Sequence, residues 1–147
     1  MKNEVIRIGQ TTISFLLEAA DTNGSVAMFE FMVPVGAKVP LAHSHEHYDE
    51  TVYGLEGVIT FTVEGKPIDI GPGESYFIPR GAVHGFNNLY QENAKSLAVI
   101  TPAHIGPNFF KECAEIVNAG GPPDIEKLKI VMARHGLVPA LPKAAVV

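Results

Sequence analysis

The chain has 147 residues, of which 46% are hydrophobic and 18% charged, and its formal net charge is −5. That length is about one domain, and the apolar share is enough to bury a core without disulfides, which excludes wholesale disorder. An acidic balance with no basic cluster argues against a nucleic-acid or anionic-membrane surface.

Up to Thr101 the chain reads as short β runs separated by turns. Val5 to Ile8 and Thr11 to Leu17 are the first two strands. Asp21 to Ser25 is a turn, because Asn23 and Gly24 tolerate positive φ. Val26 to Val33 is a strong strand that stops at Pro34. Thr51 to Leu55 and Val58 to Val63 flank Glu56-Gly57. The turn Glu64-Gly65-Lys66 leads into Pro67 to Ile70. Gly71-Pro72-Gly73-Glu74 turns into Ser75 to Ile78, and Pro79-Arg80-Gly81 into Val83 to Phe86. Lys95 to Thr101 is the last of the series. Strands at this spacing, with fourteen glycines and eleven prolines, indicate an all-β sandwich or barrel rather than βαβ units.

The period changes after Pro102. Phe109, Phe110, Cys113, Ile116 and Val117 fall on one helical face, and Gly120 to Pro123 end that helix. Asp124 can cap a second helix whose stripe is Ile125, Leu128, Val131 and Met132, with Gly136 as its C-terminal stop. The helices, near 107–118 and 124–135, are expected to cover one end of the barrel, with a lid or dimer contact as the alternative. The tail Leu137 to Val147 is expected to pack loosely. The expected division is a β barrel over 1–104 and a helical extension of the same domain over 105–147.

One cysteine, Cys113, excludes an intrachain disulfide and a Cys-based zinc cluster. Lys2, Glu4 and Arg7 interrupt any signal-peptide core, and Ser96 to Phe110 is too short and broken to span a bilayer. These features predict a cytoplasmic protein. No Gly-x-Gly-x-x-Gly turn and no Gly-x-Ser-x-Gly elbow supports a nicotinamide or serine-hydrolase reading.

The chemistry concentrates in His43-Ser44-His45-Glu46-His47-Tyr48-Asp49-Glu50. On a strand, His43 and His45 project from the same face. A turn over the next residues places Glu50 at the start of another strand, and a third strand offers His84. Three imidazoles and one carboxylate could then converge inside a barrel. That set suits zinc, copper, iron or nickel, and on an octahedral ion it leaves two positions open.

The spacing resembles the two motifs of the cupin superfamily. His43-x-His45, four residues, Glu50, six residues and Gly57 match the first. Gly73, five residues, Pro79-x-Gly81, two residues, His84, three residues and Asn88 match the second. Gly36 departs from the pattern, with six residues rather than five before His43. The resemblance covers about residues 34 to 101. It implies a single double-stranded β-helix, jelly-roll-like barrel with a metal held by His43, His45, Glu50 and His84. The metal would be one divalent transition ion per chain, with iron, manganese, nickel, zinc and copper not distinguished.

Among small cupins the likeness is to quercetin-dioxygenase-like proteins. It implies an oxidoreductase acting on a small oxygen-rich substrate, with Glu50 as a ligand that can also act as a base. The alternatives are a non-catalytic binding barrel and a metal-dependent sugar or keto-acid isomerase. Parity makes Val52, Gly54 and Phe86 candidate pocket residues, with Gly54 leaving room above the metal. His47 is a loop residue near the site that could also shuttle protons. Gly57, Gly73, Pro79, Gly81 and Asn88 are expected to shape turns. Because three free imidazoles would each lose a proton, metal affinity is expected to fall by almost three decades per pH unit well below a free His pKa of about 6.5. A homodimer joined through an edge strand, above all the N-terminal one, is the expected assembly.

Overall fold

The structure, a computed structural model, describes residues 4–39 and 41–140. Two antiparallel sheets face each other. The first contains β1 (Val5–Ile8), β2 (Thr11–Leu17), β3 (Ala27–Val33), β5 (Asp49–Glu56), β8 (Ser75–Ile78) and β10 (Ala94–Thr101). Its order is β1-β2-β3-β10-β5-β8. The second contains β4 (His43–His45), β6 (Ile59–Val63), β7 (Lys66–Ile70), β9 (His84–Asn87) and β11 (Leu137–Pro139), in the order β11-β4-β9-β6-β7. The two sheets do not close into one continuous ladder, so the all-β jelly-roll is a sandwich-like barrel rather than a strictly closed one.

The period-two pattern produces this arrangement. Along β3, Ala27, Phe29, Phe31 and Val33 are buried and alternate with half-buried Met28, Glu30 and Met32. Along β10, Ala94, Ser96, Ala98 and Ile100 are buried in the same way. A slip of one residue would turn either row to the outer face, so the pattern pins the register. β10 pairs with both β3 and β5, which makes it the centre of the first sheet. In the second sheet, Glu64 and Gly65 have φ of 49° and 80°. These two left-handed residues form the two-residue hairpin between β6 and β7, where the primed turn matches strand twist.

Two parts depart from the sequence expectation. The turn at Asp21 to Ser25 is preceded by a one-turn helix, α1 (Ala19–Thr22), whose start is held by reciprocal bonds between Glu18 and Asp21. Asn23 then takes φ 53° and ends it. The segment after Gly136 does not pack loosely as far as residue 140. Leu137 to Pro139 pair with His45 to His43 as β11, and Leu137 is buried. Residues 141–147 of the expected loose tail lie outside the described residues. The helices match expectation closely, as α2 (Pro107–Val117) and α3 (Ile125–Arg134). Asp124 caps α3 by accepting from Lys127 N at 3.2 Å. Among the described residues, no helix is long and apolar enough to cross a membrane.

α2 also touches the N-terminal edge. Asn118, its C-cap, accepts from Gly9 N and donates to Arg7 O, each at 2.8 Å. Part of the β1 edge is thereby satisfied within the chain.

Candidate metal centre

The site lies between the two sheets and draws on both. His43 and His45 come from β4, and His84 from the start of β9, which is the neighbouring strand in the second sheet. His43 and His84 stand directly opposite in register. Glu50 comes from β5 in the first sheet. The chain crosses between sheets over residues 46–48, and that crossing brings the carboxylate to face the imidazoles.

Local chemistry sets each side chain. Glu46 N donates to Gly136 O and Gly81 N to His45 O, both at 2.9 Å, which holds the crossing in place. Asp49 and Glu50 point to opposite faces of β5. Asp49 turns outward and accepts from Arg80 N at 2.8 Å, Nε at 3.2 Å and a guanidinium amine at 3.1 Å. Those bonds hold its carboxyl below the usual carboxylate range. Glu50 turns inward and is buried. Before β9, Ala82 N donates to Pro79 O, and Gly81 has φ 87°, the left-handed conformation that a type II turn needs at its third residue. That turn delivers His84 to the interior. Asn88 closes β9 as expected. Its amide donates to Val33 O at 2.9 Å and Glu92 O at 2.7 Å, and its carbonyl accepts from Tyr90 N at 3.0 Å.

The three imidazoles offer ligand atoms that all lie within 4.8 Å of one another. Glu50 Oε1 is 3.8 Å from His45 Nε2 and 4.0 Å from His84 Nε2. Two nitrogens bound to one ion at about 2.1 Å are about 3.0–3.4 Å apart at cis-octahedral or tetrahedral angles and about 4.2 Å apart when opposite, so the widest pair must close by at least about 0.6 Å, and by more than about 1 Å unless the two are opposite. Two tautomers are set by the backbone. His43 Nδ1 lies 3.0 Å from Leu41 O and His84 Nδ1 2.9 Å from Ala82 O. A carbonyl oxygen only accepts, so Nδ1 carries the proton and Nε2 keeps its lone pair for a cation. Burial, followed by the neighbouring His84, pushes the His43 pKa down to about 3 despite the Leu41 bond. Burial, followed by His43 and His84, takes His45 down to about 2. Burial raises Glu50, and His84 opposes that shift. Neutral imidazoles and one anionic oxygen form the donor set a divalent transition ion takes.

A cavity of about 370 Å³ adjoins these four residues. Phe29, Phe31, Phe61 and Phe86 wall it from the sheets, and Phe109 and Phe110 from α2. Leu128 and Met132 of α3 also reach it, so both helices cover this end of the sandwich.

The pocket expectations divide. Phe86 lines the cavity, whereas His47, Val52 and Gly54 do not. The side chain of His47 is 68% exposed beside Glu46. Val52 is wholly buried in the core. Gly54 opens no room for a ligand. A Cβ there would lie 2.0 Å from Gly71 O, so its bare backbone admits the neighbouring loop. Cys113 is a buried thiol pushed up to about 12, mainly by burial, and it lines the cavity from α2. His135 is tied to Glu112 at 2.6 Å.

Sequence reasoning passed over Tyr48. It is wholly buried, and its ring stacks on His45 with centroids 4.4 Å apart and planes 25° apart. The available signal was its place as the one apolar ring in an otherwise polar run from His43 to Glu50.

Two facing antiparallel sheets with a His-x-His strand and a third histidine opposite it define a class, and comparison with known proteins names it. Residues 29–100 match the family model described as a cupin domain. A quercetin 2,3-dioxygenase of Bacillus subtilis (strain 168) is 30% identical over 89 residues, which are 60% of this chain and 26% of that protein. An uncharacterized protein of Aquifex aeolicus (strain VF5) is 31% identical over 91 residues, 61% of this chain and 73% of that one. The crystal structure of a predicted oxalate decarboxylase from Thermotoga maritima superposes with a TM-score of 0.60 at 27% identity, covering 69% of this chain and 93% of that one. The chain belongs to the cupin family. It spans about a quarter of the quercetin dioxygenase it matches.

Proposed function

We propose that this cupin holds one divalent transition metal ion through His43, His45, Glu50 and His84. We further propose that it carries out an oxidoreductase reaction of dioxygenase type on a small, enolizable, oxygen-rich substrate. The observation that carries this reading is the convergence of three imidazoles and a carboxylate, from opposite sheets, at the end of an apolar cavity. The likeness to a quercetin 2,3-dioxygenase supports the reaction class.

When bound, such an ion supplies Lewis acidity and, for a redox-active metal, electron exchange with dioxygen. The chain supplies the rest. Phenylalanines from both sheets and α2 hold the substrate body and keep water out. Glu50, with its pKa raised by burial, takes the acidic substrate proton on a carboxylate oxygen. An aromatic wall suits a flat conjugated body better than a sugar, which would leave its hydroxyls unpaired there. That argues against the sugar isomerase alternative.

Oxygen uptake by metal-loaded protein with a panel of flavonols, β-diketones and sugar phosphates tests the reaction. The proposal expects uptake with an enolizable conjugated compound and none with sugar phosphates. Ligand binding without uptake would make the barrel a non-catalytic binder, and isomer formation without uptake would make it an isomerase.

The lone cysteine fits a cytoplasmic location. A homodimer is also proposed. With the β1 edge partly taken up by Asn118, β8 is the better candidate edge, because Phe77 on it and Tyr53 on β5 are exposed.

A further inference from the structure

The three histidines are not anchored alike. His43 and His84 each have a ring nitrogen bonded to a backbone carbonyl, at Leu41 and Ala82. Among the described residues, His45 has no such ring-to-carbonyl hydrogen bond. The imidazole of His45 instead lies flat against Tyr48, at 4.4 Å and 25°. Tyr48 is in turn fixed from the far side. It is wholly buried, and its hydroxyl donates to His135 O at 3.5 Å. Gly136 passes close enough that a Cβ there would sit 3.6 Å from the Tyr48 ring. Gly136 O also accepts from Glu46 N at 2.9 Å, two residues before Tyr48.

We infer that Tyr48 is a positioning residue for the metal centre, seating the His45 imidazole by ring stacking and tying it to the C-terminal end of α3. The inference rests on the metal reading above. A flat aromatic face restricts tilt of the imidazole but leaves it free of a hydrogen bond, so the ring, more than the hydroxyl, does the positioning. Groups that orient a metal ligand typically change metal affinity about 10–100-fold when removed.

The test uses the full chain titrated with Co(II) against a competing chelator, with the visible cobalt spectrum recorded alongside. Tyr48→Phe keeps the ring and is expected to stay within about threefold of the parent. Tyr48→Met and Tyr48→Leu keep apolar volume without a ring and are expected to bind at least about tenfold more weakly, with an altered spectrum. Phe15→Leu is the stability control, since Phe15 lies in the core away from the four donors. It is expected to lower the melting temperature without moving cobalt affinity. Parental affinity and spectrum in Tyr48→Met would overturn the inference while leaving the metal reading intact. So would an equal loss in Phe15→Leu, or a tenfold loss in Tyr48→Phe. A parent chain that binds no cobalt would overturn the metal reading, and this inference with it.

Discussion

His43 and His84 are the registered pair that joins β4 to β9, and their ring centroids are 4.8 Å apart with planes at 67°. The contact between these two strands and the proposed metal centre are thus built from the same side chains. Yet the core does not depend on them. Phe31, Phe61, Val33 and Ile78 bury the space between the sheets without help from the histidines. His43→Ala and His84→Ala are therefore expected to lose bound metal while keeping a cooperative melt. A chain of this size has enough buried apolar surface to fold without an ion. Metal analysis beside circular dichroism checks this, and loss of the fold in both variants would contradict it.

The metal affinity should depend on pH less steeply than three free histidines would require. His43 and His45 are held neutral down to about 3 and about 2, by burial first and by neighbouring imidazoles second. They have no proton to release on metal binding between pH 7 and 5. With two of four donors already proton-free, at most about two protons are displaced, so the slope cannot exceed about two decades per pH unit. The value near three that holds for unperturbed imidazoles is thereby corrected by the desolvation of the site. A chelator competition series from pH 7 to 5 measures the slope.

The same shifts make the metal-free fold acid-sensitive. Both histidines have folded pKa values below the unfolded 6.5, so the unfolded chain binds protons that the folded chain refuses. Stability is then intact above about pH 6.5 and falls towards pH 3, by up to about 2.7 kcal/mol per pH unit for two protons. Glu50 works in the opposite sense, because its raised pKa lets the folded state take a proton first, and it offsets part of the fall. Urea denaturation at pH 7, 6 and 5 should show decreasing stability. No change across that range would contradict the neutral histidines.

Much of this architecture was legible in the sequence, and the exceptions have physical reasons. Val5–Ile8, Thr11–Leu17 and Ser75–Ile78 form strands over the expected bounds, because alternation and turn residues mark both ends. Glu50, the carboxylate that the motif spacing singles out, is buried and faces the imidazoles, whereas Arg80 takes its neighbour Asp49 outward. β11 was missed because three residues carry no readable period, and its partner β4 is 92 residues away in sequence at the His45–Leu137 pair. Gly54 was misread because parity shows which way a side chain would point but not what fills the space. Tyr48 was missed because stacking across a turn has no sequence period.

Gly54→Ala is expected to destabilise the fold by about 1–3 kcal/mol, the usual range for overpacking. The added methyl meets the backbone of Gly71, which cannot step aside as a flexible side chain can. Cobalt affinity should be unchanged, because Gly54 lines neither the donors nor the cavity. A neutral melting temperature, or a change in metal affinity without loss of stability, would contradict that placement.

The most direct measurement is the metal content of the untagged chain and of its His84→Ala variant after exhaustive dialysis. The account predicts one transition metal ion per parent chain and none retained by the folded variant. A parent chain with no stoichiometric metal after incubation with iron, manganese, nickel, zinc and copper, or a variant with undiminished occupancy, would contradict it.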